Sequence, residues 1–262
     1  MKRLHGETLA EILDGLQKQN PAMAAAYPQR RLLSALSRVA LAIAFANSRG
    51  VLHRDLKPGN VMLGDFGEVY LLDWGLAKLT SAEEPGAGIK PAVNQKETQV
   101  GEVMGTPGYM SPEQLRGEID QLDGRTDVYT LGVLLFEILT LQPFHDRKGL
   151  DTIYNSTLGK LDPKISQRTT AKGVPPELVA AIVKATALDR RDRYGNAREL
   201  HDAIERFLDG KKDDRARSEI AAAHASTALE AAALAGTVPE MRELAIRELG
   251  ACLLYTSPSP RD

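Results

Sequence analysis

The chain has 262 residues, of which 43% are hydrophobic and 26% are charged, and its formal net charge is −2. This is the composition of a globular protein, and so small a net charge gives no overall field favouring nucleic acid or an anionic membrane. The most apolar stretches, 39–46 and 131–141, are shorter than the ~20 residues of a membrane-spanning helix, and residues 1–12 lack a signal-peptide core. A single cysteine, Cys252, excludes a disulfide within the chain and a cysteine zinc site, so we expect a cytoplasmic location.

The first predicted elements are amphipathic helices. In residues 7–19 the apolar positions recur at helical spacing, at Leu9, Ile12, Leu13 and Leu16. A second helix is predicted over about 29–49, and Gly50 ends it. Short β-like segments separated by Gly and Pro turns come next, at residues 51–53, 60–63 and 68–73.

A long loop separates these elements from a helical region. Residues 80–104 are polar and aperiodic, and such a loop inside a compact domain is usually functional or disordered. Helices are predicted beyond it at 127–141, 175–188 and 196–208. Gly210 opens a charged, alanine-rich helical stretch to about residue 250, interrupted at 236–240. This stretch is either a linker helix or the start of a helical repeat that binds protein partners.

The last residues, 252–262, read CLLYTSPSPRD and have no periodicity. They resemble the in-frame translation of a sequencing adapter, so we expect this tail to be foreign to the protein and the chain to be cut short there. The alternative is a disordered Ser/Pro tail, which also carries no function.

Four motifs follow one another in the middle of the chain: HRDLKPGN (53–60), LDWG (72–75), GTPGYMSPE (105–113) and TDVYTLG (126–132). This ordered set resembles the eukaryotic-type serine/threonine protein kinases, particularly their bacterial members. The resemblance covers roughly residues 1–209 and implies a mainly α (α+β) fold. We expect a protein-kinase-like large helical lobe with short β-hairpins at the active site, followed by a C-terminal helical extension (210–251).

The resemblance assigns chemical roles to four side chains. Phosphoryl transfer passes through a loose, charge-rich transition state, so placing the reactants and cations does most of the work. Asp55 is the expected base that accepts and orients the attacking hydroxyl, and Lys57 neutralises charge on the transferred group. Asn60 and Asp73 supply the oxygen ligands that Mg²⁺ prefers. The alternative for each is a solvated polar residue or a turn former.

Other residues are expected to act on the loops around this site. His53 packs beneath the metal-binding loop, and Arg54 binds a phosphate on the activation segment, for which Thr98 is the candidate acceptor. The alternative for Thr98 is an unmodified loop threonine. Thr106 faces Asp55 as part of the surface that selects serine and threonine.

The resemblance also implies structural roles. Glu113 and Arg193 form a buried ion pair, and Asp127 anchors the backbone of the catalytic loop. Met62 forms the apolar floor under adenine. Trp74 stands where the family usually has phenylalanine, and its larger ring can pack in the same place but carries an N–H that needs a partner if buried.

The segment MKRLHGETL resembles the hinge between the two lobes of a kinase. Met1 lies near the back of the adenine pocket, Lys2 to Leu4 offer backbone groups to adenine, and Glu7 approaches the ribose. The sequence holds no GxGxxG loop, no VAIK-like lysine and no helix supplying its glutamate partner. We therefore expect the chain to be the hinge and larger lobe of a longer kinase, inactive by itself.

The expected activity of the parent protein is transfer of a phosphoryl group from ATP, with Mg²⁺, to serine and threonine hydroxyls of protein substrates. One alternative is a pseudokinase or scaffold, against which the four retained residues argue. Another is a small-molecule phosphotransferase, which shares an HxDxxxxN loop but lacks a long activation segment of this kind.

Overall fold

A computed structural model describes residues 5–74, 78–79, 105–159, 165–234 and 239–256 of the chain. The chain divides into two compact units, Met1–Glu205 and Arg206–Asp262. In the described residues the helices are α1 (Leu9–Gln17), α2 (Pro21–Ala26), α3 (Gln29–Ser48), α4 (Pro112–Leu115), α5 (Gly124–Thr140), α6 (Leu150–Thr157), α7 (Ile165–Thr170), α8 (Pro176–Ala185), α9 (Ala197–Leu234) and α10 (Pro239–Thr256). The strands are β1 (Glu7–Thr8), β2 (Val51–Leu52), β3 (Val61–Leu63), β4 (Val69–Leu71) and β5 (Lys78–Leu79). The predicted mainly helical α+β class is confirmed.

The core of the first unit is built around α5, whose residues are buried continuously from Thr126 to Thr140. The helix packs against α3 on one side and α8 on another. Gly132 permits the crossing with α8, since a β-carbon there would lie 2.6 Å from the β-carbon of Ala185. A helix apolar on all sides must be buried, and α5 therefore forms the rigid centre of the unit.

Two small antiparallel sheets flank this core. One has the strand order β1-β3-β4, with Val61 opposite Leu71 and Glu7 opposite Leu63. The other pairs β2 with β5. The predicted helix at 7–19 therefore begins only at Leu9, because residues 7 and 8 pair with β3. Thr8 caps α1 in a reciprocal arrangement with Glu11: the Glu11 amide donates to Oγ1 of Thr8 at 3.3 Å, and the Thr8 amide donates to Glu11 Oε2 at 2.8 Å.

The second unit contains the later part of α9 together with α10. The prediction that one helix ends at 208 and another opens at Gly210 is wrong, because α9 continues through Gly210. An interior glycine costs a helix about 1 kcal/mol, which the good helix formers around it can offset. Nδ1 of His224 on α9 and Oε2 of Glu248 on α10 lie 2.6 Å apart. In the described residues, no helix combines the length and hydropathy that crossing a membrane requires.

The tail starting at Cys252 is not wholly irregular, because α10 extends to Thr256. Its expected origin as an adapter stays a prediction. The predicted interruption at 236–240 lies partly outside the described residues, between the end of α9 at Leu234 and the start of α10 at Pro239. The expected boundary at 209 also stays a prediction.

Candidate active site

The loop of residues 53–60 connects β2 to β3, and a buried carboxylate holds its beginning. Asp127, in the first turn of α5 and 1% exposed, accepts hydrogen bonds from the backbone amides of His53 and Arg54, both at 3.1 Å. Nδ2 of Asn47 donates to the same carboxylate at 2.9 Å. A carboxylate at a helix N-terminus is stabilised by the helix dipole. Through the hydrogen bonds of Asp127, the rigid α5 fixes the backbone of the loop.

Arg54 has a left-handed backbone conformation, with φ of 65°. Such a conformation is costly for a residue with a β-carbon and persists where the surroundings enforce it. Here Asp127 holds its amide, and Nε2 of Gln114 donates to its carbonyl at 2.7 Å. Burial lowers the pKa of the Arg54 guanidinium, partly offset by the charge of Asp127.

Asp55, Lys57 and Thr106 form a closed triangle of hydrogen bonds. The Lys57 ammonium donates to Oδ2 of Asp55 at 2.7 Å and to the Thr106 hydroxyl at 3.0 Å. The Thr106 hydroxyl donates to Oδ1 of Asp55 at 2.7 Å. Asp55 is 7% exposed, so one nearly buried carboxylate meets a cation and an aliphatic hydroxyl at the same time.

Asn60 and Asp73 are positioned by the β3-β4 hairpin. The side-chain amide of Asn60 donates to the carbonyl of Asp55 at 2.8 Å, which leaves Oδ1 as its acceptor. The carbonyl of Asn60 accepts from the Leu72 amide at 2.8 Å, and Asp73 follows directly. Asp73 is exposed and has φ of 56°, a left-handed conformation that aspartate tolerates better than most residues.

These two side chains fit a magnesium ion that is bound together with a phosphate. In the described residues no group of three or more His, Cys, Asp or Glu side chains could hold a metal by itself. Mg²⁺ in phosphoryl-transfer sites takes one or two protein carboxylates and completes its shell with phosphates and water. An amide oxygen and a carboxylate at the end of one hairpin meet that requirement.

His53 and Trp74 pack against each other behind this hairpin. Their ring centroids lie 4.7 Å apart at an angle of 51°, and Nε2 of His53 donates to the Leu72 carbonyl at 3.3 Å. Burial is the largest influence on His53 and lowers the pKa of its imidazole. Nδ1 is buried without a hydrogen-bond partner in the described part of the chain. Trp74 thus lies against His53, and its expected place in the position of the family's phenylalanine stays a prediction.

Glu113 and Arg193 are 80 positions apart and meet in the core. The guanidinium donates to both carboxylate oxygens, at 2.7 and 2.9 Å, and each residue is 4% exposed. Burial opposes ionisation of Glu113, but the hydrogen bonds and charge of Arg193 outweigh it and lower the pKa of the carboxyl. Arg193 also donates to the carbonyls of Ala187 at 2.7 Å and Arg125 at 3.1 Å. The pair therefore joins α4 to the segment before α9.

The residues expected to hold the nucleotide are only partly described. Met62 is half-buried on the central strand β3, opposite Thr8 and Tyr70. Glu7 lies on the neighbouring strand, and burial together with a hydrogen bond to Glu7 raises the pKa of Tyr27. Glu7 therefore lies against Tyr27 at the C-terminal end of α2, and the ribose contact expected for Glu7 stays a prediction. Met1, Lys2, Leu4 and Thr98 lie outside the described residues.

Sequence reasoning missed a polar cluster beside Lys57. Tyr109 donates to Oε2 of Glu137 at 3.0 Å, and Arg147 donates to Oε1 at 2.9 Å and to the Tyr109 hydroxyl. Burial raises the pKa of Glu137, and the charge of Arg147 opposes that shift. The cluster lines a cavity of about 400 Å³ together with Lys57 and Asp14. Glu137 was the available signal, because it is the one charged residue in the apolar stretch 131–141.

Comparison with known proteins agrees with this geometry. A model of the protein kinase domain matches residues 2–225. The serine/threonine-protein kinase PknD of Chlamydia pneumoniae is 34% identical over 218 residues, which cover 80% of this chain and 23% of that protein. The proteins of the same name from Chlamydia felis and Protochlamydia amoebophila are each 35% identical over 187 residues, or 69% and 70% of this chain and 19% of each relative. The chain thus spans about a fifth of the length of these curated relatives.

Proposed function

This chain belongs to the protein kinase domain family, and from that premise we propose that its protein transfers the γ-phosphoryl group of ATP to serine and threonine hydroxyls of other proteins. The observation that carries the proposal is the contact of Asp55 with both Lys57 and Thr106. An aliphatic hydroxyl already donates a 2.7 Å hydrogen bond to this carboxylate, which is the interaction an attacking hydroxyl requires.

Asp55 acts on the hydroxyl of the substrate, and Lys57 acts on the transferred phosphoryl group. Asp55 orients the hydroxyl of the substrate and accepts its proton as the new O–P bond forms, while the bond from the γ-phosphorus to the bridging oxygen breaks and ADP leaves. Lys57, which already donates to Asp55 and Thr106, places its positive charge where the transferred phosphoryl group gains negative charge. Thr106, which contacts both Asp55 and Lys57, is proposed as part of the surface that selects serine and threonine hydroxyls.

ATP would bind together with magnesium at the residues that follow the loop. Oδ1 of Asn60 and the carboxylate of Asp73 are the proposed metal ligands, and the ion neutralises phosphate charge when bound. Met62, on the central strand, forms the proposed apolar floor under adenine, and Glu7 lies on the adjoining strand. Backbone groups of Met1, Lys2 and Leu4 complete the proposed adenine contacts.

Regulation and location are further parts of the proposal. Phosphorylation of Thr98 would bring a dianion to Arg54, whose guanidinium charge is always present, and would order the activation segment.

ATP is a cytoplasmic substrate, so we place this domain in the cytoplasm. The C-terminal helices are a proposed site for protein partners. That residues 252–262 are foreign and that the chain is the larger lobe of a longer kinase both stay predictions.

The experiment that tests the base is Asp55→Asn in the full-length protein. We expect phosphorylation of a generic protein substrate to fall at least about a hundredfold, because the amide cannot accept the proton. The melting temperature should change little, since asparagine still accepts from Thr106.

The matched control is Asp202→Asn, an exposed aspartate on α9, which should leave the rate unchanged. If Asp55→Asn phosphorylates the substrate as fast as the parent protein, Asp55 is not the base and the proposed mechanism is wrong.

A further inference from the structure

A groove lies on the surface between the first half of α3 and the β3-β4 hairpin. It encloses about 310 Å³ and is separate from the proposed active site. We call it the arginine groove, because Arg30, Arg31 and Arg38 line one wall and Leu63, Gly67 and Val69 line the other. Its walls thus combine the apolar surface of a hairpin with three guanidinium groups from one helix.

Two of the arginines are fixed in place by neutral partners. Arg31 donates to the carbonyls of Ala26 at 2.8 Å and Gly64 at 3.2 Å, and its guanidinium lies 4.6 Å from the centre of the Tyr27 ring. Arg38 donates to the carbonyl of Gly67 at 2.6 Å. Carbonyls and an aromatic face orient a guanidinium but do not neutralise its charge.

No carboxylate among the described residues forms an ion pair with any of the three arginines. Glu68 also lines the groove, so its lining side chains carry three positive charges and one negative charge; Oε2 of Glu68 accepts from the amide of Phe66 at 3.1 Å and closes the hairpin turn. The first turn of α3 contains no acidic residue, and the positive end of the helix dipole adds to the charges of Arg30 and Arg31. The groove is therefore a local positive site on a chain whose net charge is −2.

An exposed aromatic residue directly precedes Gly67 of the groove lining. Phe66, at the tip of the hairpin, is 93% exposed, although phenylalanine is usually among the most buried residues. Aromatic and arginine side chains are enriched at the centres of protein interfaces and carry a large part of their binding energy. Phe66 and the arginines together have the composition of a docking surface.

We propose that the arginine groove binds an acidic, extended segment of a partner protein, with its carboxylates on Arg30 and Arg38 and an apolar side chain against Phe66. Guanidinium groups bind carboxylates through paired, charge-assisted hydrogen bonds, and the fixed arginines have donors left over for them. Binding at this surface does not require phosphoryl transfer, so the inference stands or falls independently of the proposed function.

The test is fluorescence anisotropy of the full chain with a fluorescein-labelled peptide of about a dozen residues that contains glutamate and leucine. We expect saturable binding that weakens as salt is raised above roughly 0.15 M, and no binding of the same peptide with lysine in place of glutamate. Arg30→Glu should weaken binding about tenfold, and Phe66→Ala should also weaken it. Neither side chain is buried, so the melting temperature of both variants should be unchanged.

Arg198→Glu reverses an exposed arginine on α9 and is the matched control, which should bind like the parent chain. The proposal is overturned if Arg30→Glu binds the acidic peptide as tightly as Arg198→Glu does. It is also overturned if the two peptides bind equally, or if RNA or vesicles containing phosphatidylserine compete for the groove more tightly than the acidic peptide.

Discussion

Arg193 is buried, so water cannot replace any of the hydrogen bonds that its guanidinium makes. Its guanidinium pairs with Glu113, donates to three backbone carbonyls and lies 5.0 Å from the centre of the Tyr129 ring. A buried cation of this kind is tolerated because every donor that leaves water finds an acceptor. Removing the carboxylate alone would leave the cation buried and unbalanced.

We therefore expect Glu113→Gln to lower the free energy of unfolding by about 3–5 kcal/mol, measured by urea denaturation at neutral pH. The lowered pKa of Glu113 sets the sign of the pH dependence. The stability contributed by the pair is present above the unfolded-state pKa of the carboxyl and is lost as the pH falls through the folded-state value.

Glu118→Gln is the control, because Glu118 forms a looser surface pair with Arg116 at 4.0 Å and should cost less than about 1 kcal/mol. Equal effects of the two substitutions would contradict the structural role of the buried pair.

At the scale of the helices, α5 is the element that the others are built on. Its N-terminal turn holds the loop of residues 53–60 through Asp127, and Gly132 in its middle allows α8 to approach. Tyr129 connects it to the neighbouring α6, since its hydroxyl lies 3.0 Å from Nε2 of His145, whose Nδ1 lies 2.7 Å from the Ser156 hydroxyl. Changes at these contacts should act on the whole unit.

Gly132→Ala tests the crossing of α5 and α8. The added methyl would lie 2.6 Å from the β-carbon of Ala185, so the helices must move apart, at a cost of about 1–3 kcal/mol despite the better helix propensity of alanine. Gly149→Ala is the control, because nothing lies within 4 Å of the added methyl there. If Gly132→Ala stabilises the protein in urea denaturation, the helices do not cross at Gly132.

The buried His145 makes the packing of α5 against α6 sensitive to acid. Burial, with the charges of Arg168 and Arg147, lowers the pKa of His145 to about 4. In the unfolded chain the imidazole of His145 is protonated below about pH 6.5, whereas in the folded protein it stays neutral until about pH 4. The free energy of unfolding therefore falls by on the order of 3 kcal/mol as the pH is lowered from about 6.5 to 4.

Urea denaturation at several pH values checks this dependence. His145→Gln should reduce the slope of stability against pH in that range, and the exposed His5→Gln should leave it unchanged. A slope that is the same in both variants would show that His145 is not the responsible group.

The sequence predicted the helices of the core and the β3-β4 hairpin, but it divided the longest helix, α9, and missed the shortest helices. The spacing of apolar residues gave α3 within one residue of its observed bounds and placed the β3-β4 hairpin. Helices α2, α4 and α6 have 6, 4 and 8 residues, so the longest of the three has little more than two turns. A helical spacing of apolar residues cannot be recognised over so few positions.

The site could be predicted only where its residues belong to ordered motifs. Asp55, Lys57 and Asn60 lie within eight consecutive positions, whereas Tyr109, Glu137 and Arg147 are spread over about forty. Nothing in the sequence shows that Tyr109 and Arg147 meet at the buried carboxylate of Glu137, because those contacts depend on how α5 is oriented. Pairing over such distances is a property of packing and not of local pattern.

For the whole molecule, the proposed chemistry is confined to one edge of the first unit. The catalytic loop, the hairpin end and the Tyr109 cluster all lie on connections between elements, while α3, α5 and α8 supply a packed base. Functional groups on loops held by a rigid scaffold are the usual arrangement in enzymes. The chain spans about a fifth of its relatives' length, so the proposed catalysis is to be measured on the full-length protein.

The most direct test of the central claim is to map by mass spectrometry where the full-length protein places phosphate when protein substrates and small alcohols are offered together with ATP and Mg²⁺. We predict phosphate on serine and threonine side chains of the proteins, and none with Asp55→Asn. Phosphate only on tyrosine or on the small alcohols, or the same protein sites labelled by Asp55→Asn, would contradict the account.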